Sequence, residues 1–241
     1  MGAILLIGPS FFGYRDRVAK EMGRHGHDVE VVDDRPSESV AFRSLAKVAA
    51  ALTAKSIARY TEVLRQRIGS GSYDHVIYMG GMTFLFERSQ VELMRFSAPS
   101  AKFTAYLWDS LSNSPKLAKS LDLFDRVLSF EPRDCESRGL ELRPLFYSDV
   151  CARLPLEPDN GFAYDACFVG SVHQPRKFEA VKRICDVLEE KGLRVFKYYY
   201  MPSRSVAALR KTTVSMYRRE EFFFEPLAAD QVADIYANSA A

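Results

Sequence analysis

The chain has few cysteines, and their spacing is uninformative for metal binding. Cys135, Cys151, Cys167 and Cys185 stand far apart with no C-x-x-C pair, which excludes zinc-ribbon spacing and reads as reduced thiols. Neither His25-Gly-His27 nor any carboxylate cluster has metal-ligand spacing, so no metal is expected. Net charge is only +2, which excludes bulk electrostatic binding to nucleic acid; Arg15/Arg17 and Arg218/Arg219 read as solvated faces. No apolar run approaches the ~20 residues of a membrane span. The opening run, Ala3–Ile7, is too short for a signal peptide and lacks a basic flank. A soluble, cytoplasmic protein is expected. Signature loops are missing as well: there is no G-x-G-x-x-G, no Walker A loop and no G-x-S-x-G elbow.

What is present is ordinary globular composition, 47% hydrophobic and 27% charged over 241 residues, enough for one large or two small domains. Two segments begin alike. Met1–Gly8 and Tyr164–Gly170 are short apolar runs ending in Gly, each followed by a polar loop and a helix-patterned stretch. A Gly then leads into another apolar run (Gly26 before Asp28–Val32, Gly192 before Leu193–Phe196). This is the pattern of a βαβ unit with a Gly-bearing turn at the strand's carboxyl end. The alternation of strands and helices predicts an α/β protein. Its first domain, a Rossmann-like doubly wound parallel sheet, is expected over 1–150. A linker over 151–163 and a second, incomplete Rossmann-like domain over 164–241 follow.

Strands are predicted at Ala3–Ile7, Asp28–Val32, His75–Met79, Phe103–Leu107, Arg126–Phe130, Leu142–Phe146, Ala166–Val169 and Arg194–Lys197. Helices are predicted at Tyr14–Arg24, from Pro36 to about Ile68 with a break near Thr53, and at Glu87–Phe96, Lys116–Leu123, Arg176–Lys191 and Ala229–Ala237. Tyr198-Tyr199-Tyr200 reads as a loop, Ser205–Arg219 as weakly helical and Glu221–Phe224 as a candidate strand.

Ligands of open parallel sheets bind just past the strands' carboxyl ends. In the first domain those positions carry Gly8, Ser10, Phe11, Phe12 and Gly13, then Gly81, then Trp108, Asp109 and Ser110, then Glu131. Gly8 and Gly13 let backbone approach a ligand; Phe11 and Phe12 either stack on a planar or sugar ring or cap the core. Asp109 is a candidate general base, or else a helix cap beside a half-buried Trp108. Glu131, before Pro132, points into the same crevice or caps the next helix. In the second domain, Gly170 and Ser171 precede a helix opening with Arg176 and Lys177. Backbone amides and a helix N-terminus hold phosphate well, and cations at a helix start run against its dipole, which favours an anion there over a solvated surface. His173 either pairs with that anion or is incidental.

Several stretches resemble the GT-B-type glycosyltransferases of bacterial polysaccharide and lipopolysaccharide biosynthesis, in particular the CgeB-like group. They are Ile4–Gly8 with Gly26–Val29, Phe103–Ser110, Phe124–Glu131, Leu145–Tyr147, Tyr164–Gly170, and Phe224–Leu227 leading into Tyr236–Ser239. The resemblance implies an acceptor-side first domain, a donor-side second domain and a nucleotide sugar held in the cleft, with no obligatory cofactor or metal. Gly170, Ser171, Arg176 and Lys177 would face the donor diphosphate, and Asp109, with Glu131, would serve catalysis. The acceptor would be a saccharide or a lipid-linked saccharide, which leaves room for peripheral association with the inner membrane. Such enzymes continue past the Tyr236–Ser239 helix into a further strand and a Glu-bearing region, whereas this sequence reaches Ala241. The expectation is therefore a carboxyl-terminally truncated donor domain with an unpaired sheet edge open to another chain. The alternative is a non-catalytic nucleotide- or sugar-binding partner protein on the same fold.

Overall fold

A computed structural model describes residues 2–10, 13–37, 50–81, 87–146, 161–218 and 220–240. The chain divides into two compact units, Met1–Phe146 and Tyr147–Ala241; the expected linker lies outside the described residues up to position 160.

Unit 1 is built on strands β1 (Ala3–Gly8), β2 (Asp28–Asp33), β3 (His75–Gly80), β4 (Lys102–Leu107), β5 (Arg126–Ser129) and β6 (Glu141–Leu142). All pair in parallel in the order β2-β1-β3-β4-β5-β6. This is a Rossmann-like α/β sheet whose winding reverses between β1 and β3, the point where such sheets open a crevice. Ile4, Leu5, Leu6 and Ile7 are all buried, as a central strand covered on both faces requires, whereas β2, at the edge, alternates. The expected strand Leu142–Phe146 shrinks to two residues. Arg143 N–H makes one last bond to the Ser129 carbonyl, and Pro144 then has no N–H to continue the ladder.

Helix α1 (Tyr14–Arg24) has the expected bounds. Helix α2 (Ala50–Ser70) runs through Thr53 without a break, and that side chain is buried. Leu64 and Ile68 bury fully, whereas Leu52 is 71% exposed. The earlier part of the predicted long helix, 38–49, lies outside the described residues. Helix α3 (Arg88–Ser97) begins with the Gln90 side chain accepting from Glu87 N–H at 3.0 Å and buries Val91 and Met94. In place of a helix over Lys116–Leu123 there are three 3₁₀ turns, Leu111–Asn113, Leu117–Lys119 and Leu121–Leu123. Helix α4 (Pro132–Arg138) follows β5.

Unit 2 contains β7 (Ala166–Ser171), α5 (Pro175–Glu190) and β8 (Val195–Tyr200), a parallel βαβ unit, then α6 (Arg204–Thr213) and α7 (Ala229–Ala237). The three tyrosines expected in a loop belong to β8, where Tyr199 enters the core. The candidate strand over Glu221–Phe224 reduces to a bridge between Tyr200 and Phe223. The described cysteines are free, and Cys167 is half-buried.

Tyr60 donates to the Asp33 carbonyl at 2.9 Å. Burial, then the Asp33 and Asp34 charges, push its phenol up to about 12; burial and the Glu30 carboxylate do the same for Tyr73. Both phenols stay neutral in the fold after the unfolded chain's tyrosines ionise. Their contribution is therefore intact below pH 10 and is lost as pH climbs through about 12. Urea midpoints between about pH 9 and pH 12 should fall less steeply in Tyr60→Phe/Tyr73→Phe than in wild type; equal slopes would rule these phenols out.

Candidate functional site

The carboxyl edge of the unit 1 sheet gathers most of the predicted positions. At the switch point β1 lies so close to β3 that a Cβ on Gly8 would stand 2.6 Å from the Met79 carbonyl oxygen, so only glycine fits. Ser10 O accepts from Gly13 N–H at 3.3 Å, and Gly13, left-handed at φ 65°, starts α1; Phe11 and Phe12 lie outside the described residues. Arg15, expected on a solvated face, is instead largely buried. Its guanidinium donates to Gly8 O at 3.0 Å and to Asp33 Oδ2 at 3.3 Å, tying the ends of β1 and β2 together. Next to it Arg35 grips the buried Asp34 through both carboxylate oxygens, at 2.5 and 2.9 Å.

Past β4, Trp108 packs into an aromatic cluster. Its ring centroid lies 6.1 Å from that of Tyr14, 6.4 Å from Tyr106 and 5.4 Å from Phe146. It is half-buried, as expected, and walled in by rings rather than open as a stacking platform. The capping role weighed for Asp109 falls to Ser110, whose side chain accepts from Ser112 N–H. Asp109 is exposed and carries no hydrogen bond or ion pair among the described residues. It lies against Gly81: a Cβ there would meet Asp109 Oδ2 at 2.3 Å, so glycine makes room for the carboxylate. Glu131 takes the capping role weighed for it, accepting from Arg133 N–H at 3.3 Å while Pro132 opens α4.

In unit 2, Gly170 and Ser171 are the last residues of β7 rather than a turn beyond it. Ser171 Oγ pairs with His173 Nδ1 at 2.7 Å. Pro175 opens α5, Gln174 provides no side-chain cap, and the first turn carries no acid. Arg176 and Lys177 are exposed and unpaired among the described residues. The structure therefore brings Gly8, Ser10, Gly13, Gly81, Trp108, Asp109 and Ser110 to one sheet edge. Gly170, Ser171, Arg176 and Lys177 gather at another.

The sequence reading missed the Arg15, Asp33, Asp34, Arg35 and Tyr60 cluster. Its one signal was Asp33-Asp34-Arg35 directly after a strand. Among the described residues no group of three His, Cys, Asp or Glu is placed to hold a metal, and no helix is long and apolar enough to cross a membrane.

No protein-family model and no characterised protein sequence matches the chain. Among solved structures, a candidate transcriptional regulator from Clostridium difficile 630 is similar at a TM-score of 0.38 and 10% identity, over 89% of this chain and 55% of that one. The chain thus spans about half the length of that neighbour, and a likeness at this level assigns it neither a family nor a function.

Proposed function

We propose that the protein binds a nucleotide sugar through unit 2 and transfers its glycosyl group to a saccharide or lipid-linked acceptor of cell-surface polysaccharide assembly. One observation carries the reading: α5 starts with two cations that have no partner among the described residues, no acid in its first turn and no side-chain cap, directly beyond the carboxyl end of β7. Cations at the positive end of a helix are unfavourable unless an anion joins them. A donor diphosphate would accept from the α5 backbone amides and from Arg176 and Lys177. In the reaction an acceptor hydroxyl oxygen bonds to the anomeric carbon, the bond from that carbon to the phosphate oxygen breaks, and the nucleoside diphosphate departs. Arg176 and Lys177 would offset the charge growing on it, and a carboxylate general base would take the hydroxyl proton.

Calorimetric titration with UDP and GDP tests the binding step. Arg176→Ala/Lys177→Ala should weaken the diphosphate by about a hundredfold or more, since charged hydrogen bonds contribute about 1.5–3 kcal/mol each. Unchanged affinity, or no binding by wild type, overturns the reading. A second reading, binding without turnover, is favoured by Glu131, one of the two expected catalytic acids, whose Oε1 accepts from Arg133 N–H as the α4 cap. Donor hydrolysis by the wild-type chain would select the transferase; binding without hydrolysis would select the second reading.

A further inference from the structure

The 3₁₀ turns after β4 face α4 across a cleft of about 640 Å³, within the size range of small-molecule sites. Leu111, Pro115 and Ala118 give it apolar wall; Ser112, Lys119, Asp134, Ser137 and Arg138 give it polar groups. The turns are held from behind. Leu111 and Leu117 are buried in the core, and Arg88 donates to the Lys119 carbonyl at 3.1 Å while gripping Asp122 at 2.7 and 2.9 Å. From the α4 side, Asp134 Oδ2 accepts from Leu111 N–H at 2.8 Å. This fixes the carboxylate at the cleft and leaves Oδ1 without a partner among the described residues.

Arg88, Arg95, Lys116 and Arg126 each have a carboxylate partner, whereas Arg133 on α4 has none among the described residues. Lys119 and Arg138 line the cleft, and neither side chain has a partner among the described residues. With Asp134 the lining carries one net positive charge. It offers donors for an oxyanion, a carboxylate oxygen for a ligand hydroxyl, and the hydroxyls of Ser112 and Ser137. An inorganic anion would leave the Asp134 oxygen facing it unfavourably, and a neutral sugar would leave both cations unanswered.

We propose that this cleft binds an anionic monosaccharide, its phosphate or carboxylate on Lys119 and Arg138 and a ring hydroxyl on Asp134. As a binding site it stands independently of the donor site at α5; only its use as the acceptor end of a transfer rests on the function proposed above.

Chemical-shift titration of the full chain with glucose 6-phosphate and glucuronate tests it, with inorganic phosphate and glucose as controls. Amides of Leu111–Lys119 and Ser137–Gly139 should respond to the first two. Lys119→Gln/Arg138→Gln should weaken both by about tenfold or more, the loss of two charge-assisted contacts. Both side chains are exposed, so an unchanged melting temperature verifies folding in that variant. If only glucose 6-phosphate binds, a phosphosugar is the ligand; if only glucuronate binds, a carboxylate sugar is. Inorganic phosphate binding as tightly as either sugar, or responses confined to Ser171–Lys177, would overturn the proposal. Arg176→Ala/Lys177→Ala should leave sugar binding intact. Should that variant also retain UDP, the donor reading fails while this site is still judged by the Lys119/Arg138 variant.

Discussion

Phe178→Ala should destabilise unit 2 by about 3–5 kcal/mol. The side chain is fully buried on α5, with ring centroids 4.4 Å from Tyr217, 5.2 Å from Tyr199 and 5.8 Å from Phe222. These rings, with Val172, Met201 and Ala207, form the buried cluster of the unit, so the helix, β8 and the segment after α6 meet at this residue. Truncating a buried Phe costs about 3–5 kcal/mol, a large share of the 5–15 kcal/mol that a whole domain has. Tyr217 would suffer too: its hydroxyl reaches the Val172 carbonyl at 2.6 Å inside the same cluster. Hydrogen exchange over β7, α5 and β8 should lose its protection in this variant. Phe96→Ala, at a position 85% exposed, should change nothing measurable. Protection retained to within about 1 kcal/mol in Phe178→Ala would show that the cluster does not hold the unit.

Where burial follows from local pattern, sequence and structure agree. Ile4–Ile7 is apolar on every residue and became a central strand; Val18, Ala19 and Met22 recur at helical spacing and α1 has the expected ends. Disagreement begins where a distant partner decides. Tyr198–Tyr200 looked polar enough for a loop, but each pairs with β7, and tyrosine suits a half-buried strand. The Lys116–Leu123 stretch has helical spacing, yet Leu111 and Leu117 must both reach the core, and tighter turns place them there. For the sites, the position of each carboxylate was legible and its engagement was not. Asp109 and Glu131 each lie two residues past a strand, but only the fold reveals that Ser110 relieves the first of capping while Arg133 N–H takes up the second.

Arg35→Met should cost about 3–5 kcal/mol, because it leaves the Asp34 carboxylate, 1% exposed, without its bidentate partner. Adding Asp34→Asn should recover most of that loss, since it removes the buried charge that Arg35 answered. Urea unfolding of the two single variants and the double variant forms the test; a single-variant loss below about 1 kcal/mol would mean solvent already screens the pair. The outcome bears on function. Dinucleotide-binding sheets use an acid after the second strand to hold ribose hydroxyls. Here Asp33 answers Arg15 and Asp34 answers Arg35, so the acids at that place serve the fold. Both acids at the end of β2 are ion-paired with arginine, while at α5 Arg176 and Lys177 have no partner among the described residues. UDP added to the wild-type chain should accordingly perturb the amides of Ser171–Lys177 and leave Asp33 and Asp34 unmoved. The reverse pattern would assign the nucleotide to unit 1 and exchange the donor and acceptor roles of the two units.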